Sequence, residues 1–172
     1  MKTIKISIFT LTYTIDFPVY LLFFGVLLDI ISTSIFVGLG IGREANIILR
    51  DLISVSIWFI PVYLLTSNAV FVPLLPGLLR KTLSYTFGLV HGLLGLNNFS
   101  LILFRNAFLV GTIGFDNLNI LFILFGLSLF AYFMNEEKMN RKEVVTSSLK
   151  LVLYLLFLVL IQYVYSVIPT FF

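Results

Sequence analysis

Residues 17–39 read FPVYLLFFGVLLDIISTSIFVGL, with a single formal charge at Asp29. A helix needs about 20 mostly apolar residues to cross the roughly 30 Å hydrocarbon core of a bilayer, so this stretch reads as a transmembrane span. Four more stretches pass the same test, at 52–72, 83–104, 117–134 and 149–168. Lipid offers no partner to an unpaired backbone group, so all five must be helices. Their apolar residues do not alternate with polar ones, which excludes a barrel. The expected fold class is all-α: an N-terminal interfacial segment over 1–16, then an integral membrane helix bundle of five transmembrane helices over 17–172.

The composition of the whole chain agrees. Of 172 residues 60% are hydrophobic and 11% charged, where a soluble domain carries about 25% charged residues. The mean hydropathy is +1.11. A soluble domain of this size cannot hide so much apolar surface, which argues against a soluble enzyme, a disordered tail or a nucleic-acid binder. The chain has no cysteine, hence no disulfide, no thiolate metal ligand and no cysteine nucleophile. No internal repeat is visible, which argues against an inverted-repeat transporter.

Loop charges predict the orientation. Lys2, Lys5, Arg80, Lys81, Lys138, Arg141, Lys142 and Lys150 fall on the side of the N-terminus, and Arg43, Arg50 and Arg105 on the other, eight against three of the 11 basic residues. That asymmetry places the N-terminus inside and the C-terminus outside. It also accounts for the net charge of +3 without a nucleic-acid partner.

The first sixteen residues carry two patterns. Ile6, Ile8, Leu11, Tyr13 and Ile15 nearly alternate with Ser7, Thr10, Thr12, Thr14 and Asp16, as in a strand. Thr3, Ser7, Thr10 and Thr14 also form a polar stripe at helical spacing. An interfacial segment is expected, or one docked on a partner subunit. No small-residue cleavage site follows, so cleavage as a signal peptide is not expected. Asp16 fits the N-cap of the first span, with Pro18 in its first turn.

Asp29 is the one formal charge deep within a span, and such a group normally faces the bundle interior and has a partner. Gly25, Asp29 and Thr33 share its helix face, flanked by Ser32. The third span holds the only histidine, His91, with Gly88, Gly95 and Asn98 on its face and Gly92 beside it. Ser84, Gly88 and Gly92 form a small-xxx-small series that allows close backbone approach. At about 1.5 Å per residue, Asp29 lies roughly 18 Å from the inner end, His91 roughly 12 Å and Asn98 roughly 22 Å. The first and third spans run in the same direction, so Asp29 falls between His91 and Asn98. The candidate intramembrane polar cluster is therefore Asp29, Ser32, Thr33, His91, Asn97 and Asn98, with Gly25, Ser84, Gly88, Gly92 and Gly95 as packing residues. Glu44, Asn46, Asp116 and Asn117, with Asn119 nearby, form a candidate outer-mouth cluster; Asn46 and Asp116 also suit helix N-caps. The apolar connection Ala107 to Phe115, with Gly111 and Gly114, suits a dip into the membrane or a partner contact. The charged connection Asn135 to Lys150 suits a solvated loop.

The series Asp29-Ile-Ile-Ser-Thr33, then Gly40 or Gly42, then Glu44-Ala45-Asn46, resembles a family of small uncharacterised multi-pass prokaryotic membrane proteins. Members show an Asp and a Thr late in a span, a glycine, then Glu-Ala-Asn-Pro opening the next helix; Ile47 stands here at the proline position. The resemblance covers about twenty residues. It implies that Asp29, Thr33, Glu44 and Asn46 belong to one shared feature, and carries no activity with it.

Three functions fit these observations. The first is a non-catalytic subunit or assembly partner of a larger complex in the cell membrane, favoured by apolar faces around the helices and minimal soluble parts. The second is a membrane-embedded metal-assisted hydrolase using Asp29, His91 and Glu44, although one histidine and one embedded carboxylate make a poor ligand set. The third is ion or proton conduction through Asp29 and His91. Expected partners are the lipid bilayer and other membrane subunits or a second copy; no cofactor, metal or nucleic acid is expected.

Overall fold

The computed structural model describes residues 4–8, 11–41 and 47–167. Two short strands come first, β1 (Ile4–Ile8) and β2 (Leu11–Ile15), paired antiparallel with Ile4 opposite Ile15 and Ile8 opposite Leu11. Of the two N-terminal patterns, the alternating one is realised. Of the polar stripe at helical spacing, Ser7 and Thr14 lie in these strands, and Thr3 and Thr10 lie outside the described residues.

From Phe17 onward the structure is helical. Helix α1 (Phe17–Gly38) begins where Asp16 Oδ1 accepts the Val19 N–H at 3.3 Å, with Pro18 in the first turn. It ends in a Schellman turn: Gly40 adopts a φ of +63°, and its N–H and that of Ile41 reach the carbonyls of Val37 and Phe36. Further on come α4 (Gly77–Phe104), the short α5 (Val110–Ile113), α6 (Phe115–Glu136) and α7 (Arg141–Val167). Among the described residues four helices are long and apolar enough to cross a membrane: α1, α4, α6 and α7.

The expected second span is not a continuous helix. It is built from α2 (Ile47–Val55), α3 (Phe59–Leu64), a π-helical turn over Leu65–Ala69 and a 3₁₀ turn over Val72–Leu74. The physical reasons are local. Pro61 lacks an N–H and excludes a helical carbonyl four residues before it, so the chain restarts, with Ser56 Oγ accepting the Trp58 N–H at 3.3 Å. The widened turn frees carbonyls that three consecutive polar side chains then satisfy. Thr66 Oγ1 donates to Val62 O at 2.7 Å, Ser67 Oγ to Tyr63 O at 2.7 Å, and Asn68 Nδ2 to Leu64 O at 3.4 Å. Pro73 and Pro76 prevent any helical continuation into α4.

Helices α1 and α4 pack together more extensively than any other pair of elements, and they run parallel. Successive contacts climb both chains together: Asp16 with Arg80, Asp29 with His91, Thr33 with Asn98. The broken segment packs against both of them. Its last turn lies beside β2, and its middle packs against α7, where Tyr63 meets Tyr165 edge-on at 5.1 Å and Phe71 meets Phe157 at 4.9 Å. Helix α6 runs antiparallel to α4, joined at one end by Lys81 Nζ and Glu136 at 2.8 Å. The core gathers Leu22, Val26, Leu52, Ile60, Leu64 and Val72 from α1 and the broken segment. A smaller cluster joins Leu78 and Leu79 of α4 to Phe130 and Phe133 of α6. Helix α7 is scarcely covered: 6% of its apolar stretch is buried, against 39% for α1.

The connection between α6 and α7 is shorter than the solvated loop expected over Asn135 to Lys150. Helix α7 already starts at Arg141, held by a reciprocal capping box. Asn140 N–H donates to Glu143 Oε2 at 2.8 Å, and Glu143 N–H donates to Asn140 Oδ1 at 3.0 Å.

Candidate functional site

The glycines decide how close α1 and α4 come. A Cβ on Gly88 would lie 2.8 Å from the backbone of Leu21 and Leu22, and one on Gly95 would lie 3.0 Å from Asp29 N. A Cβ on Gly25 would collide with the Gly88 carbonyl. Gly92 has more room, 3.9 Å to Gly25 Cα. Backbones this close place the polar side chains of the two helices within direct reach of one another.

Asp29 is buried and both of its carboxylate oxygens are engaged. His91 Nδ1 lies 2.7 Å from Oδ2, and Thr33 Oγ1 donates to Oδ1 at 3.0 Å. Asn98 Nδ2 donates to Thr33 Oγ1 at 3.0 Å and to Ser32 Oγ at 3.4 Å, while Ser32 Oγ donates to Asp29 O at 3.1 Å. The resulting order runs Asn98 to Thr33 to Asp29, with His91 entering from the other side. With Asp29 ionised, every donor in the series points toward its carboxylate and His91 carries its proton on Nδ1. In a low-dielectric interface such a series holds its groups tightly, because loosening any one strands a buried polar atom.

The depth estimate therefore brings the right residues together, with one change of detail. Asn98 reaches Asp29 through Thr33 and not directly. Asn97 does not join the cluster: its Oδ1 accepts the N–H groups of Leu109 and Val110 at 3.0 and 3.2 Å, fastening the α4–α6 connection. Ser84 is fully buried, and its hydroxyl has no hydrogen-bond partner among the described residues.

The outer-mouth cluster is seen only in part. Glu44 and Asn46 lie outside the described residues. Asp116 is not the N-cap expected of it: α6 is capped by Gly114 at a φ of +82°, so Asp116 sits inside the first turn. Asn117 Nδ2 donates to Ile113 O at 3.0 Å, an intrachain role at the same turn. Asn119 faces a hollow between α4, α6 and α7, away from the Asp29 series.

Sequence reading missed the clamp at the other end of the α1–α4 pair. Arg80 Nε and Nη2 donate to Asp16 Oδ2 at 3.2 and 3.0 Å, and its Nη1 donates to Leu75 O at 3.2 Å. The signal was available: two parallel spans begin with Asp16 and Arg80 at equal depth. Among the described residues no group of three or more His, Cys, Asp or Glu comes together to hold a metal ion.

The fold and this interface define a polytopic helical membrane protein organised on one parallel helix pair. No family model, curated protein or solved structure matches the chain.

Proposed function

We propose that the chain is a five-crossing protein of the cell membrane, N-terminus inside and C-terminus outside, serving as a non-catalytic subunit or assembly partner of a larger complex. The observation that carries this reading is the closure of the Asp29 series. The buried acid and base hydrogen-bond to each other, Thr33 bonds the acid and Asn98 bonds Thr33, where glycines bring the α1 and α4 backbones close together. Such an arrangement locks two helices in register. The parallel course of α1 and α4 supports the fifth crossing, because the chain between them must return from one end of the pair to the other. The eight-to-three charge asymmetry supports the orientation. The apolar outer faces of α6 and α7 supply surface for lipid and for partner helices. The resemblance to small multi-pass prokaryotic proteins is compatible with the same role.

The test is isolation of the chain in a mild detergent from its own membrane. Stoichiometric co-purifying membrane proteins are expected, unchanged in the Asp29→Asn variant. A homogeneous chain with no companions contradicts the reading.

A second reading is favoured by one feature, the 2.7 Å contact of His91 Nδ1 with Asp29 Oδ2. A bond this short in a buried site suits proton transfer between the two. Proton flux into liposomes that is lost in Asp29→Asn would establish it in place of the first.

A further inference from the structure

Two hollows at the basic end of the molecule meet at Lys150. One is a polar notch of about 360 Å³ beside the α6–α7 turn, whose lining includes Glu137, Lys142, Ser147 and Lys150. The other is an apolar groove of about 550 Å³ between α7 and the stretch from Phe71 to Leu79, with Leu153, Tyr154 and Phe157 on its α7 wall. Lys150 lines both. Positions 142, 146, 150, 154 and 157 follow at helical spacing, so one stripe of α7 passes from charged to apolar along its length.

The notch wall itself sets Lys142 and Lys150 against Glu137 and Glu143, and the adjoining turn adds Lys138 and Arg141 with no further acid. Lys81 pairs with Glu136 and Arg80 with Asp16. Lys138, Arg141, Lys142 and Lys150 form no ion pair among the described residues. Against these four cations stand Glu137 and Glu143, the latter engaged in the α7 capping box, which leaves an excess of two positive charges. Tyr154 is 5% exposed, and its buried hydroxyl has no hydrogen-bond partner among the described residues. That hydroxyl is closed off from the groove, and Tyr154 contributes wall surface to it.

We propose that the two hollows form one binding site for an anionic phospholipid. The phosphodiester sits against the Lys150 ammonium and the Ser147 hydroxyl, and one acyl chain lies in the Phe71–Phe157 groove. Tyr154 stands one turn beyond Lys150, about 6 Å along the helix, and lines the acyl groove at that level. A cation where the apolar stretch of a helix begins, as Lys150 is in α7, lies at headgroup depth. The two further cations of the adjoining turn, Lys138 and Arg141, favour a headgroup without its own ammonium, and the groove excludes a small soluble anion as the full occupant.

The test is lipid retention by the intact purified chain in micelles holding equal amounts of phosphatidylglycerol and phosphatidylcholine. Phosphatidylglycerol is expected to be retained preferentially. Lys150→Gln lowers that preference about fivefold, the weight of one interfacial cation, while Arg105→Gln at the other end leaves it unchanged. Equal retention of the two lipids, an unchanged preference in Lys150→Gln, or release of the lipid by inorganic phosphate alone overturns the proposal. A second measurement needs no variant: phosphatidylglycerol with a photoreactive acyl chain is expected to label peptides containing residues 71–79 and 153–157. Labelling spread evenly over the exposed faces of α6 and α7 contradicts it.

Discussion

Asp29 takes hydrogen bonds on both carboxylate oxygens inside an interface that admits little water. Asparagine at this position keeps an acceptor and adds a donor, so Asp29→Asn is expected to lower stability by about 1 kcal/mol. Asp29→Leu removes every acceptor and strands the His91 imidazole and the Thr33 hydroxyl, at a cost of about 3–5 kcal/mol. Thermal unfolding in one detergent checks both; equal losses for the two variants would remove the hydrogen-bonded lock from the account. At this scale the sequence was informative because rise per residue and helix face are fixed by geometry. The depths of Asp29, His91 and Asn98 follow from counting, and their meeting follows from two small-residue stripes at one level. Asn97 defeated the same reasoning. Its neighbour Asn98 faces α1, but a rotation of one residue carries the Asn97 carboxamide to the backbone of Leu109 and Val110.

The elements separate residues that the sequence groups together. Gly88 and Gly92 belong to one small-xxx-small series, yet only Gly88 is pressed against the α1 backbone. Gly88→Ala is expected to destabilise by about 1–3 kcal/mol through overpacking, whereas Gly92→Ala, with ordinary van der Waals room, is tolerated. The outward substitution Leu89→Val is mild by the same measure. A Gly92→Ala variant as damaged as Gly88→Ala would show that the parallel packing is misjudged. The end of α6 offers a gain. Lys138 has a φ of +49° at the position that closes a Schellman turn, with its N–H on Asn135 O. Glycine relieves that left-handed strain, so Lys138→Gly is expected to raise the melting temperature, with a gain of up to about 1 kcal/mol. An unchanged or lower melting temperature would count against the turn. The broken second segment was the least legible element. Its apolar content satisfies a span-length test, while the break depends on Pro61, Pro73 and the three polar residues Thr66 to Asn68 acting together. Asn140 and Glu143, by contrast, stood in the sequence at capping-box spacing and could have set the start of α7.

At the scale of the whole molecule, one relation organises the rest: α1 and α4 run parallel and touch along their length, so the thirty-eight residues between Gly38 and Gly77 must lead back across it. Composition made the membrane class legible from the start, since four long apolar helices have no soluble alternative. The proposed return crossing rests on charge asymmetry and parallel packing read together, because no single uninterrupted helix covers that stretch. Accessibility of single reporter groups at the two termini, in sealed oriented membranes, tests the proposed five-crossing topology most directly. The absence of native cysteine makes one introduced thiol at either end a clean reporter. The account predicts that the N-terminal thiol reacts only with reagent inside and the C-terminal thiol only with reagent outside. Both thiols reacting from the same face would contradict it.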